Sequence, residues 1–421
     1  MLREIHLKNV GPGEELSFEF NERYNLLTGD NGVGKSFILD VAWWLISRSS
    51  MGLPPRPNVT SPDEAFARSL FIADKNRVNS LFPEIQRQRE LISGSLKFAG
   101  DPSDEGLPLT IYVRSDGGVG VWDPLRHGAD SSRGGGRTIG GDRFTVEEIW
   151  NGQSRRKTKV CNGLLQDVTT WQLEKSRPFL VFEKILHALS PSDNERLVLG
   201  KPERYSLEDA RRVPVLSLPY GEVPLTLASA AVRQISAIGY ILVWAIEEHL
   251  IRSATNNERL SENILFMFDE IESHLHPKWQ RKILTSLNQA IGIFENKFNV
   301  QILSVTHSPL VLASLESTFD PGKDALFNFS VLGRNITAKK LDWRSHGDVA
   351  SWLTSEVFNL GEARSIEAEE AIKQARAIAL NSKATAEDFE AAHAALQTVL
   401  GDTDPFWVKW VARAERAGFK P

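Results

Sequence analysis

The first fifty residues carry a pattern of apolar and polar positions that predicts three strands followed by a helix. Residues 2–7 and 16–20 alternate apolar and polar side chains, as half-buried strands do. Residues 24–28 form a short apolar run that is typical of a buried strand. From about Gly34 onward the apolar side chains recur at helical spacing.

Further along the chain, strand and helix patterns alternate. Hairpins are predicted at 109–122 and 327–341, and single strands at 263–268 and 300–305. Helices are predicted at 166–190, 226–250, 278–294, 349–359, 365–381 and 386–399. This alternation predicts an α/β fold. We divide the chain into an N-terminal head segment at 1–47, an inserted β/helical lobe at 48–225, a C-terminal head segment at 226–345 and a helical region at 346–421.

Composition restricts the class of protein. Apolar residues make up 41 % of the 421 residues, which is enough for a sizeable core. No uninterrupted run of 18 apolar residues occurs, and the first residues lack a signal-peptide pattern, so we expect no transmembrane helix and no membrane partner. The single cysteine, Cys161, excludes an internal disulfide and fits a reducing, cytoplasmic setting.

The net charge of −5 provides no general attraction to nucleic acid. One dense basic run occurs, at 155–159, and such runs are most often solvated surface loops. Any DNA contact would therefore come from a local patch.

A glycine-rich segment after the third predicted strand matches G-x-x-x-x-G-K-[ST]. Its residues are Gly29, Asp30, Asn31, Gly32, Val33, Gly34, Lys35 and Ser36. Glycines let the backbone amides turn toward one phosphate, and the following helix adds its positive end. Lys35 would reach the β- and γ-phosphates, and the Ser36 hydroxyl would bind Mg²⁺.

Two acids end the apolar run at 263–268. Asp269 and Glu270 would lie at the carboxyl end of a buried strand, where ligands bind in open α/β sheets. Asp269 can hold the Mg²⁺ shell, and Glu270 can orient and deprotonate the attacking water. His307 follows the strand predicted at 300–305 and could hydrogen-bond the γ-phosphate.

Two further histidines, His274 and His276, follow the acidic pair. No third metal ligand is evident beside them in the sequence. We therefore expect a loop that contacts a partner subunit rather than a zinc site.

Together these motifs resemble the SMC/RecF/OLD branch of ABC ATPases. The resemblance rests on the phosphate loop, on the D-E-x-E-x-H-L-H-P pattern from Asp269 to Pro277, and on the T-H-S-P stretch that contains His307. It implies a P-loop ABC-type ATPase head with an antiparallel β-subdomain, an inserted helical lobe and C-terminal helices. It also implies ATP and Mg²⁺ as ligands, and a homodimer in which each phosphate loop faces a signature segment of the other head.

The sequence departs from the family pattern at several positions. The signature serine would be Ser229, but Ala230 and Ala231 replace the family's glycines, and their methyl groups would hinder backbone approach to the γ-phosphate. This argues against efficient hydrolysis but not against ATP binding. Phe37 stands where many relatives have Ser or Thr at the α-phosphate. For the family's Mg²⁺-linked glutamine, Gln172 is favoured over Gln166.

The whole chain also resembles stand-alone ATPase subunits of bacterial anti-phage systems of the Septu type. In that group the ATPase often accompanies a separate nuclease, and no Toprim-like nuclease pattern follows His307 here. We therefore expect a nucleotide-switched homodimer that controls a partner effector. The alternatives are a RecF-like DNA-binding repair ATPase and a nucleotide-gated scaffold with negligible turnover.

Overall fold

The computed structural model describes the chain except residues 53, 57–64, 75–76, 82, 87–94, 99–106, 129–139, 219, 295–297, 334, 382 and 420–421. The sequence from 126 to 143 is rich in glycine and arginine, and its central residues 129–139 lie outside the described residues. The chain forms two compact units, Met1–Ser345 and His346–Pro421.

The first unit contains all the strands and nine of the helices among the described residues. The strands are β1 Leu2–Lys8, β2 Glu15–Glu19, β3 Tyr24–Gly29, β4 Phe66–Asp74, β5 Arg77–Leu81, β6 Pro83–Gln86, β7 Ser95–Phe98, β8 Leu109–Val113, β9 Val119–Trp122, β10 Asp142–Phe144, β11 Gln153–Arg155, β12 Thr158–Cys161, β13 Val198–Leu199, β14 Val215–Leu218, β15 Gly221–Pro224, β16 Asn263–Asp269, β17 Asn299–Val305, β18 Ala325–Leu332 and β19 Asn335–Leu341. The helices are α1 Lys35–Ser47, α2 Pro124–His127, α3 Val146–Asn151, α4 Leu164–Glu174, α5 Arg177–Ala188, α6 Ala230–Asn256, α7 Pro277–Gln280, α8 Ile283–Gly292 and α9 Pro309–Leu315.

An eight-stranded sheet forms the centre of the first unit, in the order β10-β9-β8-β16-β17-β3-β18-β19. The strands from β8 to β18 in that order run parallel, and antiparallel partners close both edges. Strands β3 and β16 are buried along almost their whole length, as their continuous apolar runs require in a sheet that is covered on both faces. The predicted α/β fold is confirmed.

A second, antiparallel sheet has the order β2-β1-β4-β5. Apolar side chains alternate with polar ones along β1 and β2, so one face of this sheet is buried. Phe18 of β2 contacts Phe327 and Phe329 of β18 at ring-centroid distances of 5.5 and 5.6 Å. These aromatic contacts join the antiparallel sheet to the central one.

Gln301 of β17 provides a polar link between the same two sheets. Its side chain is buried, and its amide oxygen accepts a hydrogen bond from Leu2 N at 2.9 Å. The amide nitrogen donates to Leu2 O at 2.8 Å and to Asn21 O at 2.7 Å. One side chain thus satisfies both backbone groups of Leu2 inside the protein.

Helix α6 is the longest helix among the described residues and part of the core. By length and composition, it alone among the helices of the described residues could cross a membrane. Its apolar window is 72 % buried inside the protein, which is typical of a core helix. The helix contains no uninterrupted run of 18 apolar residues, because polar residues such as Gln234 and Ser236 interrupt its apolar pattern.

The structure corrects several sequence-based boundaries. Strands β8, β9 and β10 belong to the central sheet, so 48–225 is not a single lobe inserted into the head. The helix predicted at 166–190 is divided into α4 and α5, because Lys175 adopts a left-handed conformation with φ 51°. The helix predicted at 278–294 is divided where Lys282 leaves the helical region, with φ −141°.

The second unit is helical. It contains α10 Val349–Leu353, α11 Ile366–Leu380, α12 Ala386–Val399 and α13 Phe406–Arg416. The first of these helices is shorter than the predicted 349–359. The core of the second unit consists of buried alanines and four larger side chains: Ile372, Phe389, Leu396 and Trp410. Arg364 binds both carboxylate oxygens of Asp404 at 2.8 Å, which ties the loop before α11 to the start of α13.

We predict that Gln301→Leu destabilises the protein by about 2–3 kcal/mol, because Leu2 N–H and C=O then lose their buried partner. The free energy of unfolding from denaturant titration measures this loss. Gln166→Leu is the matched control on the exposed surface of α4 and should change stability by less than about 0.5 kcal/mol. Equal effects of the two substitutions would contradict the role assigned to Gln301.

Candidate nucleotide-binding site

Most of the predicted site residues meet at one edge of the central sheet. Because β3, β16, β17 and β8 are parallel neighbours, their carboxyl ends lie side by side. The phosphate loop follows β3, Glu270 follows β16, His307 lies just beyond β17, and Ser115 lies just beyond β8. This edge is where open α/β sheets bind ligands.

Two of the loop glycines, Gly29 and Gly34, have close neighbours that leave no room for a side chain. Gly29 has φ 122°, and a Cβ there would lie 2.1 Å from the carbonyl oxygen of Phe329. Gly34 has φ 87°, and a Cβ there would lie 2.5 Å from a ring carbon of Pro12. The turn between β1 and β2 therefore packs directly on the loop. Any larger residue would displace the backbone from its curl.

The loop presents donors that suit an anion. Helix α1 begins at Lys35 without a side-chain cap, and the amides of residues 30–34 donate to no acceptor among the described residues. The Lys35 ammonium is buried and donates to Gly29 O at 2.9 Å and to Asp30 O. Burial lowers the pKa of Lys35, while the charges of Asp30, Glu270 and Asp269 act in the opposite direction. A phosphate group matches this set of donors.

Asp269 is the point at which three segments meet. Its carboxylate is buried, and one oxygen accepts from the Ser36 hydroxyl at 2.7 Å. The other oxygen accepts from the Ser115 hydroxyl at 3.0 Å. Two hydroxyls and a carboxylate are hard oxygen ligands of the kind that Mg²⁺ binds. These residues therefore fit the metal that the phosphate loop implies.

Glu270 adopts a left-handed backbone conformation, with φ 54°, immediately after the strand. Its amide donates to Val305 O at 3.1 Å, and its carboxylate accepts from the Ser273 hydroxyl at 3.3 Å. The side chain is 40 % exposed, and one carboxylate oxygen lies 3.8 Å from His307 Nε2. A solvent-accessible carboxylate beside an imidazole can orient a water molecule.

Glu272 holds His307 in place. Its carboxylate accepts from the His307 amide at 2.6 Å and from the Thr306 hydroxyl at 2.9 Å. Burial raises the pKa of Glu272. Burial, and secondly the charge of Lys35, lower the pKa of His307, which keeps its ring neutral near pH 7.

Behind the loop, Asp40 of α1 accepts from the Tyr112 hydroxyl at 3.0 Å and lies 3.5 Å from Arg114. Burial raises the pKa of Asp40, and these two partners counteract the shift. The contacts connect α1 to the end of β8 and so help to position Ser115.

The structure does not bring Gln172 to this edge. Its amide nitrogen donates to Gly200 O at 2.9 Å, within the helical part of the unit, and Gln166 lies on the exposed surface of α4. Gln172 has no hydrogen bond to Ser36, Ser115 or Asp269 among the described residues, and its assignment as a metal-linked residue stays a prediction. Ser115 bonds to Asp269 instead, because β8 rather than α4 ends beside β16.

Phe37 fills space rather than offering a hydroxyl. A Cβ at Gly11 would lie 2.2 Å from its ring, so the ring covers the turn between β1 and β2. The side chain is half-buried against the core of the first unit.

Ser229 is the N-cap of α6, and its hydroxyl accepts from Val232 N at 3.4 Å. Ser229 and Ala230 are exposed, whereas Ala231 is buried. A cavity of about 280 Å³ is lined by Ala230, Asp269, Glu270 and His274, among other residues. The imidazole of His276 caps α7 by accepting from Lys278 N at 3.3 Å.

Comparison with known families gives two matches, which together contain the site. Residues 4–119, with the phosphate loop and Ser115, match a family described as "AAA domain". Residues 178–313, with Ser229, Asp269 and His307, match "AAA domain, putative AbiEii toxin, Type IV TA system".

Individual relatives are similar at lower identity. The Septu protein PtuA of Bacillus thuringiensis is 22 % identical over 313 residues, which are 73 % of this chain and 72 % of that protein. The Retron Vc95 probable ATPase of Vibrio cholerae serotype O1 biovar El Tor is 46 % identical over 54 residues, 13 % of this chain and 9 % of that protein.

Among solved structures, the SMC head domain from Thermotoga maritima has a TM-score of 0.40 at 14 % identity, over 81 % of this chain and 99 % of that chain. The recombination mediator protein RecF-ATPrS in the RecFOR pathway has a TM-score of 0.37 at 15 % identity, over 81 % of this chain and 98 % of that chain.

We predict that Ser115→Ala raises the Mg²⁺ concentration needed for nucleotide binding roughly tenfold, because Asp269 loses a group that orients it. Titration of Mg²⁺ against a fluorescent nucleotide analogue measures this, and Mn²⁺ binding followed by electron paramagnetic resonance gives a second readout. Gln172→Ala is the control and should leave the Mg²⁺ requirement unchanged. A raised Mg²⁺ requirement in Gln172→Ala, with no change in Ser115→Ala, would favour Gln172 as the metal-linked residue.

Proposed function

We propose that this chain, an ATPase of the SMC/RecF/OLD type related to ATPases of anti-phage systems, binds and hydrolyses ATP with Mg²⁺ as a switch that controls a partner effector. The observation that carries the proposal is the meeting of Ser36, Ser115 and Asp269 beside Glu270, at the end of a loop with unpaired amides. The matched AAA-domain families support ATP as the ligand.

Each group at the edge has a role in this proposal. The loop amides and Lys35 would hold the triphosphate, and Ser36, Ser115 and Asp269 would hold Mg²⁺, which supplies charge neutralisation on the phosphates when bound. Glu270 orients the attacking water and accepts its proton. The neutral ring of His307, 3.8 Å from Glu270, can donate a hydrogen bond to the γ-phosphate from one nitrogen.

We further propose that two heads close on two ATP molecules. Ser229 and Ala230 are exposed at the positive end of a 27-residue helix, and the nearby Leu227 is 57 % exposed. An exposed helix N-terminus suits an anion that is supplied by another molecule. Hydrolysis would then open the dimer.

The effector is proposed to be a separate protein. The Septu relative aligns over most of both chains, which supports a comparable role in phage defence. A nuclease is the proposed class of effector.

Glu270→Gln should reduce ATP turnover by roughly 100-fold to 10,000-fold while leaving ATP affinity nearly unchanged, because the base is lost but the phosphate contacts remain. Phosphate release and calorimetric nucleotide binding measure the two quantities. Glu262→Gln, at an acid before β16 rather than after it, is the control. Equal turnover of wild type and Glu270→Gln would instead favour the nucleotide-gated scaffold.

The DNA-binding alternative rests on the β11–β12 hairpin. Arg156, Lys157 and Lys159 are exposed on it. If DNA is the ligand, its binding to the isolated chain should weaken steeply as salt is added. Replacing all three residues with alanine should reduce the slope of the log binding constant against log salt concentration by about two to three. Binding that is absent at low salt would eliminate this alternative.

A further inference from the structure

A groove of about 560 Å³ lies in the second unit, between the C-terminal half of α11 and helix α13. Ala375 and Ala379 of α11 leave the space open, while Phe406 and Trp410 of α13 form its aromatic wall. Leu380, at the rim, is 77 % exposed. The groove is therefore shaped and apolar enough to accept a large aliphatic side chain.

The rim of the groove is basic, although the unit as a whole is acidic. Residues 346–421 contain eight basic and twelve acidic residues. Four of the basic residues but only one acidic residue line the groove: Arg364, Arg376, Lys409, Arg413 and Glu362. This concentration of charge favours an occupant that carries carboxylates.

The basic groups are partly held in place. Glu362 pairs with Arg364 and also with Arg376, the latter at 2.7 Å, and Arg376 lies over the Phe406 ring at 5.7 Å. Arg413 Nε donates to Ala379 O at 3.1 Å. Within the described part of this unit, Lys409 and the terminal guanidinium nitrogens of Arg413 have no hydrogen-bond or ion-pair partner. These groups remain available to an anion.

A surface of the opposite character lies at the start of the same helix. Ile366 is 80 % exposed, and Glu367 and Glu370 are exposed beside it. Among the described residues neither glutamate has an ion-pair partner. We call these three residues the acidic ridge. An exposed isoleucine beside two carboxylates complements an apolar groove with a basic rim.

Ile366 cannot occupy the space above the two alanines of its own molecule. It lies nine positions before Ala375 and thirteen before Ala379 in one continuous helix, which corresponds to about 13 and 20 Å at 1.5 Å per residue. An Ile366 side chain that fills this space must therefore come from another molecule.

We propose that the acidic ridge of one copy of this chain docks into the basic groove of a second copy. Ile366 fills the space above the two alanines, and Glu367 and Glu370 pair with Lys409 and Arg413. If two copies dock reciprocally the contact closes a dimer, and otherwise it propagates along a chain of molecules. The contact does not depend on nucleotide.

Exposed ion pairs and one apolar side chain make this a weak, salt-sensitive contact. It would gain strength where another interface already holds the copies together, because docking is then intramolecular. The second unit would in that case stabilise an assembly whose heads open and close.

Sedimentation of the full chain without nucleotide tests the proposal, with Lys35→Ala present to remove head closure driven by ATP. Self-association is expected, and it should weaken with added salt. The ridge variant Glu367→Lys/Glu370→Lys and the groove variant Lys409→Glu/Arg413→Glu should each weaken it roughly tenfold. Ile366→Ala should weaken it in the same direction.

An equimolar mixture of the ridge and groove variants should restore association, because a basic ridge then meets an acidic groove. Glu387→Lys/Glu390→Lys carries the same charge change on the exposed face of α12 and should associate as the parent does. A parent chain that stays monomeric at the highest attainable concentration, or a mixture no better than its parts, would overturn the proposal. Intact nucleotide binding by the chain that retains Lys35 would show that the ATP site functions independently of this contact.

Discussion

The geometry of the site depends on one buried carboxylate. Asp269 lies inside the protein at the end of β16, and a carboxylate in that position is costly unless hydrogen bonds surround it. The hydroxyl of Ser36 reaches it from the helix after the phosphate loop, and that of Ser115 reaches it from the end of β8. The side chain thereby joins three segments that are distant in sequence.

The order of strands makes this meeting possible. Strand β16 pairs with β8 on one side and with β17 on the other, and β17 pairs with β3. Asp269 lies opposite Val305 in the register, so Glu270 and the residues after β17 follow at the same level. The parallel sheet thus brings together a phosphate loop, two carboxylates and a histidine that come from separate parts of the sequence.

Electrostatics at the edge depend on the same arrangement. Lys35 is buried near carboxylates that partly offset the loss of solvation, and its charge helps to keep His307 neutral. A neutral histidine donates a hydrogen bond from one ring nitrogen only, so His307 could donate to a bound phosphate while its other nitrogen remains an acceptor. A bound polyphosphate would supply negative charge to Lys35 and the loop amides, and a bound cation would supply positive charge to Asp269.

Sequence reasoning located the parts of the site that short motifs describe. The phosphate loop and the Asp269–Glu270 pair follow apolar runs, so their strand context could be read locally. Ser115 could not be found in this way, because it carries no motif and its role depends on β8 lying beside β16. The choice of Gln172 rested on the resemblance alone, since helix periodicity does not tell which segment reaches the sheet edge.

The most direct test of the central claim is calorimetric titration with a non-hydrolysable ATP analogue, with and without Mg²⁺. The claim predicts saturable binding that tightens with Mg²⁺ and is lost in Lys35→Ala, while Lys8→Ala, on β1, binds as the wild type does. Binding that ignores both Mg²⁺ and Lys35, or no binding at all, would contradict it.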